Sequence, residues 1–339
     1  MDRVAVESKK HCLRSLATPR SPTERRGKLL NASQKRNKFT LAVMADVSSK
    51  TMRTVARRLV TELESGSPSS QAAWQVEFMD SGEPFHSKND PFSLQERVQQ
   101  SDADAFVLVV PSRWGARRLL PAPVVDGRPV AIVQADHCSG IGNYRGSPDA
   151  TAPWVVAAMA KDVFLKPTDQ WAKILSTSDR RVLDLRADRA RRTDLLQALS
   201  AGPRVVLYAG HGRNRGWAGY QALRLAHFTV PERSTPARSI GLVVAFACDT
   251  LTRTRSRVPF GSELVRRGIV HAYLGAADTI YTADAEALSV VILRVLANDK
   301  PTTVLELMRM VDNQMDTEPA AQAAWRKFRL IGDPTTLIE

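Results

Sequence analysis

Arg204-Val-Val-Leu-Tyr-Ala-Gly-His-Gly212 and Gly241-Leu-Val-Val-Ala-Phe-Ala-Cys-Asp249 are two apolar runs of strand length, each ending on one reactive side chain. A run such as Val205-Val-Leu-Tyr208, apolar on both faces, suits a strand buried between helices in a parallel sheet. Such sheets place functional groups in the crevice beyond the strand carboxyl ends. If the two strands are neighbours, the His211 imidazole and the Cys248 sulfur meet across the top of the sheet. A free thiol titrates near ~8.5 and becomes a good nucleophile near neutrality with an imidazole beside it. The same imidazole can later protonate a leaving amine. Gly212 has no side chain, so its N–H can approach a substrate. With the Cys248 N–H it makes a candidate oxyanion hole, in which one donor is worth roughly 3 kcal/mol of barrier. Singly, a cysteine at a strand end is most often a small buried hydrophobe, and a histidine a structural residue. Together, on two consecutive strand ends, they point to a cysteine hydrolase.

Outward from these runs the chain alternates strands and helices. Phe39 to Ala45 reads as a strand, and Met52, Val55, Ala56, Leu59 and Leu63 fall at helical spacing behind it. Ala105 to Val110 and Pro129 to Gln134 are further strands. Gly140 to Pro153 reads as a connecting or functional loop, Trp154 to Ala160 as the start of a mixed segment, and Trp171 to Leu175 as helical. Thr193 is positioned to cap a short helix from Asp194 to Ser200, with Gly202 marking its end. Ala283 to Leu296 and Thr303 to Met315 have the look of covering helices. This alternation predicts an α/β fold, a mainly parallel sheet with helices on both faces. The polar stretch Ser176 to Arg180 divides the reading into an upstream α/β subdomain, 38–175, and a catalytic one, 176–339.

At 339 residues and 43% hydrophobic composition the chain can bury one large core or two smaller ones. No apolar run approaches the ~20 residues that span a bilayer, and the start shows no signal-peptide h-region. The three cysteines, Cys12, Cys138 and Cys248, form no even disulfide framework. They fit a reducing, cytoplasmic setting with one functional thiol. No cluster with zinc-ligand spacing is present, so neither metal nor cofactor is expected. The net charge of +13 is partly an end effect: residues 1–37 are rich in Arg, Lys and Ser and read as a disordered basic arm or an over-extended start. Such an arm is the one feature expected to attract nucleic acid or an anionic surface.

Tyr208-Ala-Gly-His-Gly212, Trp217-Ala-Gly219 and Phe246-Ala-Cys248 together resemble the catalytic core of the gingipain-type cysteine peptidases, relatives of caspases, legumains and separases. Phe260-Gly-Ser-Glu-Leu-Val-Arg-Arg-Gly268, Val270-His-Ala-Tyr-Leu-Gly275 and Ile331-Gly-Asp-Pro334 continue the likeness to the end of the chain. The resemblance implies a caspase/gingipain-like fold and a cysteine endopeptidase. It assigns His211 as general acid/base, Cys248 as nucleophile, and the amides of Gly212 and Cys248 as oxyanion hole. It puts Tyr281, Ala209 and Phe246 at the primary specificity pocket. The family's acid for a basic substrate side chain has no counterpart in Gly140-Ile-Gly-Asn-Tyr-Arg-Gly146. Asp136, at the end of an apolar run, is a candidate to orient His211 or line the pocket, and Asp149 and Asp278 are further candidate pocket acids. Arg253, Arg255 and Arg257 form a basic loop after the nucleophile: a solvated loop, a processing site, or a clamp for an acidic substrate.

The reading is therefore a thiol protease acting on a protein or peptide substrate, by limited cleavage in regulation or bacterial defence, with an activating partner as one possibility. Two readings from other classes use the same fold: a catalytically inactive peptide-binding or interaction module, and a basic nucleic-acid-associated scaffold.

Overall fold

The computed structural model describes residues 39–45, 50–66, 74–80, 93–111, 122–135, 151–159, 162–176, 180–219, 221–228, 238–254 and 257–338. The basic arm at 1–37, Asp136, Cys138, the 140–146 stretch, Asp149 and Arg255 lie outside the described residues.

The first part of the chain supplies β1 (Phe39–Ala45), α1 (Lys50–Gly66), β2 (Trp74–Asp80), α2 (Ser93–Gln100), β3 (Ala105–Val110), the short β4 (Val124–Val125) and β5 (Arg128–Gln134). Next come β6 (Trp154–Ala158), α3 (Leu165–Ser176), β7 (Val182–Arg186), α4 (Arg192–Ser200) and β8 (Val205–Ala209). A small sheet of β9 (His211–Arg213), β10 (Gly216–Ala218) and β11 (Leu223–Arg224) precedes β12 (Ile240–Phe246) and α5 (Phe260–Arg266). The chain closes with β13 (Val270–Ala276), α6 (Thr282–Arg294), α7 (Val304–Gln314), α8 (Pro319–Trp325) and β14 (Phe328–Gly332).

The main sheet has the order β2-β1-β3-β5-β14-β13-β12-β8-β6-β7, with β4 hairpinned onto β5. Every pair along this order is parallel except β13 with β14. The sheet is thus two parallel halves that run in opposite directions and meet where β14 returns between β5 and β13. The polar stretch around Ser176 to Arg180 joins α3 to β7, and both β6 and β7 are stacked outward from β8. Of the main-sheet strands from Trp154 onward, all but β14 therefore belong to the half that carries the His211 and Cys248 strand ends.

Successive side chains of each strand feed two apolar cores, as a two-residue period requires. Leu41, Val43, Val205, Leu207, Leu242, Val244 and Phe246 pack under α1, α3, α6, α7 and α8. Ala42, Met44, Val206, Tyr208, Val243 and Tyr273 pack under α2, α4 and α5. The continuous apolar runs in the sequence have this cause: both faces of the sheet are covered. Helix α4 begins two residues earlier than Thr193 capping requires. Its N-cap is Arg191, and the Asp194 carboxylate, not the Thr193 hydroxyl, accepts the exposed Arg191 N–H at 2.7 Å. Gly202 ends it with φ +69°. Thr303 does cap α7, its hydroxyl accepting from the Glu306 N–H at 3.2 Å.

The Ile331-Gly-Asp-Pro334 stretch closes the seam between the two half-sheets. Gly332 takes φ +106°, and a Cβ there would lie 2.1 Å from the His271 carbonyl oxygen. The next N–H, of Asp333, donates to that same carbonyl at 3.0 Å, and the half-buried Asp333 carboxylate accepts from the Thr335 N–H and hydroxyl. His271 itself is buried, and desolvation pushes its pKa down to about 4. The folded state therefore keeps a neutral imidazole where the unfolded chain takes up a proton near pH ~6.5. The resulting stability is present above that pH and is lost as pH falls toward 4, up to about 3 kcal/mol in total. Urea melts at pH 7 and pH 4.5 should show a smaller acid loss for His271→Gln than for the wild type. Equal losses would clear His271 of the effect.

Candidate active site

The register of β8 against β12 pairs Ala209 with Phe246, so His211 and Cys248 each stand two residues beyond a paired position. Gly210 extends the pairing, its N–H donating to the Phe246 carbonyl at 3.3 Å. Beyond it the chain leaves the sheet as β9, and Gly212 comes against the Cys248 segment. A Cβ on Gly212 would lie 2.2 Å from the Cys248 carbonyl oxygen and 2.9 Å from both the Cys248 nitrogen and the Ala247 Cβ. Only a glycine allows the two main chains this separation.

Aromatic side chains hold β9 in place. The buried Tyr208 and Trp217 rings stack with centroids 4.0 Å apart and 5° between planes. The Trp217 indole N–H donates to the Tyr273 hydroxyl at 3.3 Å, and the Tyr208 hydroxyl donates to the His211 carbonyl at 3.3 Å. Burial raises both phenol pKa values, Tyr273 to about 12, so both hydroxyls remain neutral. The Tyr-x-Gly-His-Gly and Trp elements therefore have a structural reason: they clamp the β9–β10 hairpin to the sheet face. The imidazole of His211 is exposed, and the edge of Phe164 meets it at a centroid distance of 4.9 Å and 81°.

Cys248 is free and half-buried. Its thiol donates to the Ile280 carbonyl at 3.4 Å and accepts from the Ile280 N–H at 3.5 Å. Asp249 follows with φ +58°, a left-handed turn that takes the chain sharply off the strand. Its carboxylate accepts from the Thr252 hydroxyl at 2.9 Å and the Thr279 hydroxyl at 3.4 Å, and its N–H donates to the Asp278 carbonyl at 3.2 Å. The loops after β12 and β13 are thereby fastened together around the sulfur.

A shallow cleft, open to solvent, lies beside these strand ends. Ala209 and Phe246 line it. Val163, Phe164, Pro167 and Trp171 from α3 and the turn before it, and Thr282, Ala285 and Glu286 from α6, complete it. Apart from the Glu286 carboxylate, these residues carry no reactive group that a sequence search would seize on. The available signal was the spacing of Phe164, Pro167 and Trp171, which puts them on one helical face. Tyr281 is 72% exposed at the start of α6, with the Lys327 ammonium 5.2 Å from its ring centre, and is not among the lining residues. Asp278 turns its carboxylate to the Thr279 N–H at 2.9 Å and is likewise outside the lining. The strand before Asp136, β5, runs opposite to β8 and β12, so its carboxyl end lies at the sheet edge away from His211 and Cys248. Among the described residues no three His, Cys, Asp or Glu side chains gather to hold a metal ion, and no helix is long and apolar enough to cross a membrane.

An imidazole and a thiol on adjacent strand ends, with two main-chain amides beside them and a pocket on one flank, make up the set of groups that acyl transfer through a thioester uses. Solved structures show the same fold. The chain is similar to the Arg-specific cysteine proteinase gingipain R at 13% identity, covering 90% of this chain and 79% of that one, with a TM-score of 0.66. It is similar to the Porphyromonas gingivalis complex of RgpB pro- and mature domains at 11% identity, 89% and 80% coverage and a TM-score of 0.66. It is also similar to the Saccharomyces cerevisiae separase–securin complex at 11% identity and a TM-score of 0.50, covering 71% of this chain but 17% of that one. At such identities these likenesses speak for the fold, a caspase-like α/β sheet. No curated protein matches the sequence. The model of peptidase family C25 matches residues 143–339, more than half of the chain. The adjacent His and Cys strand ends, the caspase-like sheet and this match together make the chain a member of peptidase family C25.

Proposed function

We propose that the protein is a cysteine endopeptidase with Cys248 as nucleophile and His211 as general acid/base. The observation that carries the reading is the contact of Gly212 with the Cys248 main chain, too close for any Cβ. It puts the His211 strand and the nucleophile segment in one small volume. In the reaction His211 takes the thiol proton and the Cys248 sulfur attacks the peptide carbonyl. The carbonyl oxygen, now anionic, lies against the amides of Gly212 and Cys248. Collapse of the tetrahedral adduct breaks the C–N bond, and His211 returns its proton to the departing amine. Water, deprotonated by His211, then hydrolyses the thioester and restores the thiol.

The cleft takes the side chain before the scissile bond. Val163, Phe164, Pro167, Trp171, Ala209 and Phe246 give it apolar walls, and its one carboxylate, Glu286, is exposed on α6. A carboxylate entering it would lose solvation without gaining a partner, at a cost of a few kcal/mol. Leu and Met fit these walls best, with Arg and Lys served only by their alkyl stems and Glu286. Fluorogenic peptides differing at this one position should be cleaved in the order Leu and Met, then Arg and Lys, then Asp, with Asp at least ~10-fold below Leu in kcat/KM. Preference for Asp would overturn the pocket reading. Silence across the panel, with Cys248 also unlabelled by a peptidyl-leucine chloromethyl ketone, would overturn the peptidase reading.

Filling the cleft gives a second check. Ala209→Leu should lower kcat/KM for the Leu peptide by about 10- to 100-fold while an Ala peptide changes far less. A uniform loss on both would mean that the strand, rather than the pocket, was disturbed.

A further inference from the structure

We propose that an arginine rim beside the active site binds acidic residues of a protein substrate, two to four positions from the scissile bond. The proposal rests on the peptidase reading above. Arg213 follows His211 by two positions on β9, where exposure alternates between exposed His211, half-buried Gly212 and exposed Arg213. Imidazole and guanidinium therefore stand on the same face, about 7 Å apart along the strand. Arg215 is exposed in the turn between β9 and β10.

That turn is fastened to the loop after the nucleophile. The Asn214 amide donates to the Thr254 hydroxyl at 3.4 Å, the Phe260 N–H donates to the Asn214 carbonyl at 3.0 Å, and Thr254 and Arg257 form an antiparallel bridge. The exposed Arg257 is thereby brought to the same rim as Arg213 and Arg215. The nearby carboxylates are engaged elsewhere. Asp249 holds the Thr252 and Thr279 hydroxyls, Asp278 accepts from Thr279, and Glu263 pairs with Arg266 and Arg267. No described carboxylate pairs with Arg213, Arg215 or Arg257. Three exposed cations thus stand on the β9–β10 turn next to His211 and on the loop fastened to it.

An extended substrate rises about 3.3 Å per residue, so a guanidinium 7 Å beyond His211 is reached by the second residue from the cut, and the turn by the next ones. Exposed charge pairs are individually weak, a few-fold each. Three of them acting on one acidic stretch give a preference on the order of tenfold at low salt, which screening removes. The apolar cleft and the basic rim together describe a substrate with an apolar residue at the cut and acidic residues flanking it.

The test is fluorescence anisotropy on the full chain carrying Cys248→Ala, with two labelled peptides that share a central Leu. One has Asp and Glu at the second to fourth positions on each side, the other Ser and Gln. The acidic peptide should bind on the order of tenfold more tightly at ~50 mM salt, and the advantage should shrink toward unity by ~0.5 M. Adding Arg213→Glu and Arg215→Glu should reverse the preference toward a Lys-flanked peptide. The same ratios should reappear in kcat/KM with the Cys248 protein. Equal binding of the two peptides would overturn the proposal, as would an advantage that survives both substitutions. So would a single-stranded oligonucleotide of equal charge that binds more tightly through the same two arginines, because the surface would then serve nucleic acid. If the binding preference holds and no peptide is cut, the rim stands and the peptidase reading falls.

Discussion

Cys248→Ala should abolish peptide hydrolysis, lowering kcat by at least ~10⁴-fold, because among the described residues it is the one thiol, and the proposed mechanism forms the acyl bond on it. Stability should barely move. The thiol's contacts are two long hydrogen bonds to the Ile280 main chain, at 3.4 and 3.5 Å, and sulfur is a weak partner in both roles. The half-buried side chain also leaves little cavity behind. A melting temperature within a few degrees of the wild type, beside lost activity, separates chemistry from folding. Mass spectrometry after a peptidyl chloromethyl ketone gives an independent readout. Adduct formation should be confined to Cys248, with Cys12 and Cys138 as internal controls in the same chain. Residual turnover in the alanine variant within tenfold of the wild type would remove Cys248 from the mechanism.

The elements to which this chemistry is assigned are legible because they are local. β8 and β12 each announce themselves as continuous apolar runs, since both faces of the sheet are covered by helices and no polar alternation survives. The reactive residue at each end follows from the same geometry. The reversal of direction between the two half-sheets was not legible. It depends on β14, the last strand in the chain, returning between β5 and β13, a pairing that no local pattern encodes. Reading the end of β5 as if it faced the same crevice as the ends of β8 and β12 is the consequence. The cleft was half legible. Ala209 and Phe246 could be counted back from His211 and Cys248, whereas Phe164, Trp171 and Glu286 arrive from helices whose side chains show only an apolar face until α3 and α6 are brought over the strand ends. The start of α4 is obscured for a different reason. A threonine in the first turn looks like a cap, but the carboxylate of Asp194 reaches the Arg191 N–H three residues back.

Gly212→Ala carries the second large effect, and it tests the geometry rather than the nucleophile. The added methyl would start 2.2 Å from the Cys248 carbonyl oxygen and 2.9 Å from its nitrogen, both main-chain atoms that no rotamer change can move aside. Either the His211–Gly212 strand or the Cys248 turn must retreat by an ångström or so. The strand is held by the Tyr208–Trp217 stack and the Trp217–Tyr273 hydrogen bond, and the turn by Asp249 through Thr252 and Thr279. Neither can yield without changing the placement of an amide that the proposed mechanism sets against the developing oxyanion. Misplacement on that scale costs about 10²-fold, and losing one oxyanion donor costs about 10²- to 10³-fold. The variant should therefore lose on the order of 10² to 10³ in kcat with a small change in KM, because the cleft of Ala209, Phe246, Phe164 and Trp171, proposed to receive the substrate side chain, is left as it was. Far-UV circular dichroism should be unchanged, and a peptidyl chloromethyl ketone should still reach the thiol, though more slowly. A kcat within about threefold of the wild type would mean that the Gly212 amide plays no part in stabilising the oxyanion, and that the hole is built from Cys248 and another donor.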